Sequence, residues 1–310
     1  MKRIKYLAPI LFAVILFSGC VQEEKIVPTE ITSMSRFDFP EGTNSYDLIF
    51  DQLHNEYDTR IIYKQWSNKD WEKSWTAGVV STQYKVYGEH YIGADSLQKI
   101  AEFYKKAFGY LDKDIARKVF PQYIYIINNW RYDWGPIGIA YPQKKLDGLD
   151  FWLLSFPASV YMGTDTERNI RGARCSVANA YLELAVRKGV YVQPDGFTNG
   201  VDYNTKTYNK IEYSADPNYY LTRGFCDIVN TAKFTTTSPL GELGTPASNL
   251  AVSSIGSDFL AFLRIAMYYT EAEMNEHYAG YTLLLSRYQL VKNYMKTKYN
   301  IDLNAIASGS

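Results

Sequence analysis

The longest helix that the sequence predicts covers residues 166–188 and contains the stretch Asn169-Ile170-Arg171-Gly172-Ala173-Arg174-Cys175-Ser176-Val177-Ala178-Asn179-Ala180-Tyr181. Gly189 follows this helix, and glycine commonly ends helices because it adopts the left-handed backbone conformation without strain. The quoted stretch contains no histidine and no acidic residue, and the next carboxylate along the chain is Glu183. We therefore expect a long helix whose middle carries none of the histidines or carboxylates from which catalytic sites are usually built.

Helices outnumber strands in the rest of the chain. Apolar residues at helical spacing predict helices over 45–57, from a cap at Asp95 to Leu111, over 257–278 and over 281–299. The second of these carries one apolar stripe, formed by Leu97, Ile100, Ala101, Tyr104, Phe108 and Leu111. Short apolar runs predict strands over 61–63, 122–127 and 151–156, and residues 190–256 are rich in loop-forming types. We expect one mainly helical α+β domain over residues 37–310.

Composition excludes several classes of protein. The 310 residues include 33 basic and 33 acidic side chains, and this even balance argues against a nucleic-acid binder, which needs a basic face for phosphates. A hydrophobic content of 46% is too high for a disordered chain. With three histidines and three cysteines, the chain is neither a metal-rich protein nor a disulfide scaffold.

The N-terminus reads as a lipoprotein signal. Three basic residues precede an apolar run over 6–17, which is too short to span a bilayer and is typical of a secretory signal peptide. The run leads into Phe17-Ser18-Gly19-Cys20, which resembles a bacterial lipobox, in which the cysteine is acylated. We expect a signal peptide over 1–19, lipidation at Cys20 and a tether over 20–36. The alternative is an ordinary signal peptide followed by a chance cysteine.

Residues that could bind a metal are few and scattered. His54, His90 and His277 each have no other histidine within ten residues, whereas helical metal sites place two ligands three or four positions apart. A site assembled from distant residues stays open, as does a glycosidase pair of carboxylates, which needs only proximity in the fold. Cys175 and Cys226 could form a disulfide or remain buried free thiols.

Aromatic residues give the best indication of a binding role. Phe, Trp and Tyr together make up 16% of the chain, and Trp66, Trp71 and Trp75 recur within one polar segment. Another cluster, Trp130, Tyr132 and Trp134, follows a predicted strand, where loops often carry function. Flat rings with a polar edge suit sugars and extended peptides, so we predict ligand contacts at Trp130, Tyr132 and Trp134. The alternative is that these rings pack loops onto the core.

Several segments together resemble one family. They are Phe37-Asp38-Phe39-Pro40-Glu41-Gly42-Thr43-Asn44, Ile62-Tyr63-Lys64, Phe120-Pro121-Gln122-Tyr123-Ile124 and, near the end, Arg287-Tyr288, Val291, Tyr294-Met295 and Lys298-Tyr299-Asn300-Ile301-Asp302-Leu303. With the lipobox, they are similar to the substrate import-associated zinc metallohydrolase lipoproteins, a family of candidate zinc peptidases. The resemblance implies a metallopeptidase-like (zincin-like) single domain over 37–310 on a lipid-anchored tether.

The zinc site of that family is missing from this sequence. The family binds zinc through a His-Glu-x-x-His motif on its central helix, where two histidines hold the metal and the glutamate activates water. The corresponding helix here is the stretch over 169–181, which has no residue to align with the motif. The resemblance therefore implies a degenerate member with no zinc and no other cofactor.

The resemblance also implies a cellular role. Such lipoproteins accompany a TonB-dependent outer-membrane transporter and its substrate-binding lipoprotein, which import glycans or peptides. Glu23 and Glu24 resemble the short acidic signal that directs some Bacteroidota lipoproteins to the cell surface. We expect a surface lipoprotein that binds oligosaccharide or peptide, or docks on the transporter, without cleaving its ligand. The alternatives are an active hydrolase, with zinc on scattered ligands or a carboxylate pair, and a structural subunit that binds no ligand.

Overall fold

A computed structural model describes residues 37–67, 70, 84–134, 139–142, 145–147, 150–208, 211–226, 228–229, 243–244 and 254–310. Its helices are α1 (Ser45–Tyr57), α2 (Ala94–Gly109), α3 (Lys113–Val119), α4 (Ala158–Tyr161), α5 (Glu167–Arg187), α6 (Ile255–Tyr268), α7 (Glu271–His277), α8 (Thr282–Tyr299) and α9 (Leu303–Ser308). Its strands are β1 (Arg60–Ile62), β2 (Tyr84–Glu89), β3 (Tyr123–Ile126), β4 (Asn128–Trp134), β5 (Ile139–Pro142), β6 (Lys145–Asp147), β7 (Phe151–Leu154), β8 (Ile228–Val229) and β9 (Leu243–Gly244). Residues from Phe39 to Ser310 form one unit, and about half of the described chain is helical.

The main sheet has four strands in the order β1-β3-β7-β6. Strand β3 pairs in parallel with both β1 and β7, and β6 pairs antiparallel with β7 at the edge. All residues of β3 and β7 are buried, which explains why their sequences are continuous apolar runs rather than alternating patterns. The three predicted strands over 61–63, 122–127 and 151–156 are thus confirmed, the first shifted by one residue and the other two slightly shorter.

A second sheet, β2-β4-β5, is antiparallel and was not expected from the sequence. Its central strand β4 contains Trp130, Tyr132 and Trp134, so the segment that we predicted as a functional loop after a strand is itself a strand. Aromatic residues are common both in strands and in ligand-binding loops, and aromatic content alone does not separate the two. The following Gly135-Pro136 turn lies outside the described residues.

The N-terminal helices follow the predicted apolar spacing. Helix α1 has the predicted bounds, and Asn44 and Asp47 form a capping box at its start. Five residues of the predicted stripe, Leu97, Ile100, Ala101, Tyr104 and Phe108, are buried on α2, and Leu111 is buried just after the helix ends at Gly109. The cap is Gly93, two residues before the predicted cap, so Asp95 lies in the first turn and the predicted Asp95 cap is wrong.

The C-terminal helical region is divided more finely than predicted. The single helix expected over 257–278 is two helices, because Thr270 and Glu273 form a capping box that starts α7. The short helices α3 and α9 were not predicted, and aspartates cap both, Asp112 for α3 and Asp302 for α9. Within the described ranges, no helix combines the length and apolar character needed to cross a bilayer.

Helix α5 occupies the centre of the helical layer. It contacts α2, α3, α4, α6 and α9, and every residue over 172–182 is buried. The predicted bounds of 166–188 match α5 together with its two capping residues. Thr166 is the N-cap, and its side chain accepts a hydrogen bond from the Asn169 N–H; Lys188 is the C-cap. A helix buried on all sides must satisfy its polar side chains inside the protein.

A buried ion pair fastens the loop region after α5 to the C-terminal helices. The Arg287 guanidinium donates to Asp258 Oδ2 at 2.5 Å and to Tyr203 Oη at 3.0 Å. It also donates to the carbonyl oxygens of Phe197 and Gly224, at 2.9 and 2.6 Å. Because both members of the ion pair are almost fully buried, each charge depends on the other for its stabilisation.

Removing one member of this pair is expected to destabilise the fold strongly. Asp258→Ala leaves the Arg287 charge buried without its carboxylate and should lower the free energy of unfolding by about 3–5 kcal/mol. Tyr203→Phe, the matched control, keeps the ion pair but removes a hydroxyl that accepts from Arg287 and donates to Asp258 Oδ2 at 2.7 Å. It should lower the free energy of unfolding by less, about 1.5–3 kcal/mol. Urea unfolding of the three proteins measures both values. Equal effects of the two substitutions would show that the buried charge pair is not the main stabilising contact.

Candidate functional site

The polar side chains in the middle of α5 are used for packing. Arg174 Nε donates to the carbonyl of Ile306 at 2.7 Å, and Nη2 donates to the carbonyl of Ala307 at 3.0 Å. Ser176 Oγ donates to the Gly172 carbonyl one turn earlier on the same helix, at 2.6 Å. Arg174 thus holds α9 against α5 by satisfying carbonyl groups that a helix end leaves without partners.

Further along α5, a buried arginine of α6 occupies the next polar residues. Arg264 Nε donates to Asn179 Oδ1 at 2.8 Å, and its Nη2 lies 3.0 Å from Glu183 Oε2. Burial lowers the pKa of Arg264, and the neighbouring Glu183 carboxylate opposes this effect. Glu183, the first carboxylate after the quoted stretch, is therefore half of an ion pair between α5 and α6.

The two described cysteines are free thiols. Cys175 and Cys226 are both buried and are not joined in a disulfide, which decides between the two alternatives that the sequence left open. Cys175 Sγ donates to the Met267 carbonyl at 3.0 Å. Burial raises the pKa of Cys175 to about 12, so the thiolate form that binds metals or attacks substrates is strongly disfavoured.

These residues do not fit the zinc site that the family resemblance implies. Zinc in proteins is held by histidine nitrogens, carboxylate oxygens or cysteine thiolates. The buried middle of α5 offers a protonated thiol, a serine and an amide, and each already has a hydrogen-bond partner within the protein. In the described part of the chain, no group of three or more histidine, cysteine, aspartate or glutamate residues could hold a metal ion.

The three histidines lie on separate elements. His54 is on α1, where burial lowers its pKa. His90 follows β2 and stacks on the Trp66 ring, with ring centroids 3.8 Å apart. His277 ends α7 and stacks on Tyr269 at 5.5 Å. Each histidine is thus packed against neighbouring side chains of its own region.

The structure describes the side chains of only some of the aromatic residues that we predicted to contact a ligand. Trp130 is 1% exposed, so its ring faces the core rather than solvent, contrary to the exposed face that a ligand contact requires. The backbones of Tyr132 and Trp134 lie on β4, but their side chains are outside the described part of the structure, and their ligand contacts stay a prediction. Trp66 is buried, and Trp71 and Trp75 lie outside the described residues. Cys20, with the signal peptide and the tether, also lies outside them.

The structure instead reveals an open cleft between α2, α4 and α5, with a volume of about 340 Å³. Helix α2 contributes Lys99, Phe103 and Lys106, and α5 contributes Arg174. The three cations of the lining are Lys99, Lys106 and Arg174. Its one carboxylate is Glu102, whose Oε2 atom lies 3.1 Å from Lys99 Nζ. The lining therefore has an excess of positive charge.

One wall of the cleft is apolar and fixed. Tyr161 lies at the end of α4, and its hydroxyl forms a 3.1 Å hydrogen bond with that of Tyr104 inside the core. The ring of Phe103 packs edge-on against Tyr161, with centroids 5.2 Å apart. Met162, the next residue after α4, is 42% exposed and also lines the cleft. An aromatic and thioether wall beside cations can take a ligand with both an apolar body and a negative charge.

Sequence reasoning missed this cleft because its lining comes from helices far apart in the chain. One signal was present. Lys99, Phe103 and Lys106 recur at four and three residues, so they share one face of α2, directly beside the apolar stripe. A charged and aromatic face is common on solvated helices, and it becomes a site only because α4 and α5 close it on two sides.

Two segments that carry the family resemblance lie together. The Glu41 carboxylate accepts hydrogen bonds from the backbone N–H groups of Tyr63, Lys64 and Gln65, at 2.8, 3.1 and 2.6 Å. Glu41 is buried, and burial raises its pKa to about 7 against the lowering effect of these donors. Glu41 thus fixes the chain just before α1 to the chain just after β1.

Known proteins resemble this chain only weakly. No family model matches it, and no curated protein matches it. One solved structure with a related backbone is a protein from Bacteroides caccae described as a "putative zinc-binding metallo-peptidase". The two chains are 16% identical over 88% of this chain and 93% of the other, with a TM-score of 0.44. A similarity this weak supports no conclusion about function, and membership of the lipoprotein family stays a prediction.

The raised pKa of Glu41 should make the stability of the fold depend on pH. Between its ordinary pKa of 4.5 and about 7, Glu41 keeps a proton in the folded state that the unfolded chain releases. The free energy of unfolding should therefore fall as the pH rises through this range, by up to about 3 kcal/mol.

Chemical denaturation from pH 4 to pH 8 measures this dependence. Other groups also titrate in that range, so the informative quantity is the difference between the native protein and Glu41→Gln, which keeps an acceptor but cannot titrate. We expect the Glu41→Gln profile to lack the fall. Parallel profiles for the two proteins would show that folding does not raise the pKa of Glu41.

Proposed function

We propose that this protein is a lipid-anchored accessory of a TonB-dependent outer-membrane importer, and that it acts by binding an oligosaccharide or peptide rather than by cleaving it. The observation that carries the proposal is that the side chains in the middle of α5 already have hydrogen-bond partners within the protein. The helix that corresponds to the zinc-binding helix of the resembled family carries Cys175 and Asn179, which bond to α6, and Ser176, which bonds to the preceding turn of its own helix. A scaffold whose motif helix uses its buried middle for packing is suited to binding without catalysis.

The location rests on the sequence. The lipobox at Cys20 supports anchoring by acyl chains, which hold a protein at a membrane without a spanning helix. The acidic pair Glu23 and Glu24 supports display on the outer face of the outer membrane. A surface position would place the protein beside the transporter and its substrate-binding lipoprotein, where a ligand-binding accessory can raise the local concentration of substrate.

Expression in a bacterium with an outer membrane tests the anchor. Cys20→Ala should move the protein from the membrane to the soluble fraction and abolish incorporation of labelled palmitate. Glu23→Ala with Glu24→Ala is the matched control, because it should keep the lipid and lose exposure to external protease. Palmitate labelling that is unchanged in Cys20→Ala would contradict the assignment of the lipid to this residue.

A hydrolysis screen tests the absence of catalysis. The purified full-length protein, with and without added Zn²⁺, is incubated with peptide and oligosaccharide libraries, and products are detected by mass spectrometry. We expect no cleavage above that of a heat-denatured sample. Cleavage that requires Zn²⁺ would favour a metallopeptidase with scattered ligands, and cleavage of glycans without metal would favour a carboxylate-pair glycosidase; both results would overturn the proposal.

A further inference from the structure

We propose that the cleft between α2, α4 and α5 binds the carboxylate group of a small ligand, through Lys106 and Arg174 beside the Phe103 ring. The inference rests on the proposed binding role and specifies the chemistry that the ligand must have. It does not depend on the lipid anchor, the transporter or the family resemblance, because every residue that it uses lies in the described part of the fold.

The single carboxylate in the lining of the cleft balances only part of the positive charge of the lining. Lys99 has Glu102 as a neighbour at 3.1 Å. Lys106 lines the same cleft on the same face of α2 and has no hydrogen-bond or ion-pair partner among the residues that the structure describes. A ligand carboxylate placed next to Lys106 would therefore meet a cation that it need not share with a protein carboxylate.

Arg174 gives the cleft a fixed donor. Arg174 is 8% exposed, and its Nε and Nη2 atoms are held by the carbonyls of Ile306 and Ala307. These neutral acceptors fix the guanidinium plane without neutralising its charge. The nearest carboxylate in the described chain, Glu167, lies 3.9 Å from Nη2 and is largely exposed, so its attraction is screened by water. The Nη1 atom has no hydrogen-bond acceptor in the described chain, so its N–H groups can donate to a ligand carboxylate.

The apolar wall defines the rest of the ligand. The Phe103 ring and the Met162 side chain line the cleft beside the cations. A volume of about 340 Å³ lies at the lower end of the range for small-molecule sites, and it suits a single sugar ring or a dipeptide. The fitting ligand thus joins one carboxylate to a small ring or a short aliphatic body, as a uronic acid and the C-terminal end of a peptide both do.

Calorimetric titration of the full-length protein with two matched pairs of compounds tests this inference. One pair is galacturonate and neutral galactose, and the other is N-acetyl-dialanine with a free carboxylate and the same dipeptide as its C-terminal amide. We expect at least one acid to bind and its neutral counterpart to bind at least about tenfold more weakly. Binding of only the sugar acid or only the peptide acid identifies the source of the carboxylate, and binding of both supports the shared chemistry.

The site is located by charge reversal on α2. Lys99→Glu with Lys106→Glu should weaken binding of the acid by about tenfold or more, because it replaces two cations of the cleft by anions. Lys105→Glu is the matched control, since Lys105 is exposed in the same last turn of α2 but does not line the cleft. It should leave the affinity within about twofold. Circular dichroism of each variant verifies that the fold is kept.

Three results would overturn the inference: no binding of either acid, equal binding of acid and neutral partner, or an affinity that the double charge reversal leaves unchanged. Any of them can occur while the membrane and hydrolysis experiments still support a non-catalytic lipoprotein, in which case the ligand binds elsewhere. If instead an acid binds at the cleft and the hydrolysis screen detects cleavage, the inferred carboxylate site is supported and the proposed absence of catalysis is rejected.

Discussion

The burial of α5 on all sides is the constraint on which the rest of the structure depends. A polar group removed from water without a partner destabilises a fold by about 1–3 kcal/mol, and an unpaired charge by more. Each polar side chain over 172–182 of α5 therefore has a partner on another element or on its own helix. Arg174 bonds to the last helix of the chain, and Asn179 bonds to Arg264 on α6.

This constraint separates the packing role of α5 from ligand recognition. The residues at the middle of the helix are enclosed by α6 and α9, where no ligand reaches them without disrupting the core. Near the start of α5 the covering is incomplete, and Arg174 lines the cleft that α2 and α4 close. The same guanidinium therefore connects the stability of the C-terminal helix to the charge of the candidate site.

The spacing of apolar residues along the sequence predicted the helices whose position depends mainly on burying one apolar face. The bounds of α1 and the buried stripe of α2 follow from apolar spacing, because each helix buries one face against the same core. The break at Thr270 was missed because a capping box interrupts an otherwise continuous apolar pattern, and a cap competes with helix propagation by only about 1 kcal/mol.

The candidate site was beyond the reach of local patterns. Trp130 was predicted at a ligand and is buried, and its backbone N–H donates to Ser155 Oγ just after β7, a contact between distant segments that no local pattern shows. Lys106 and Arg174 line one cleft only because α2 and α5 pack together. The scarcity of histidine, in contrast, is visible from the composition alone, since the sequence of α5 contains no histidine.

The central claim is that the buried middle of α5, from Cys175 to Asn179, serves packing and holds no zinc ion. Calorimetric titration of the full-length protein with Zn²⁺ at neutral pH tests it most directly, with Cys175→Ala as the matched variant. The account predicts no saturable one-to-one site in either protein and an unfolding temperature that Zn²⁺ leaves unchanged. A one-to-one zinc site that Cys175→Ala abolishes would contradict it.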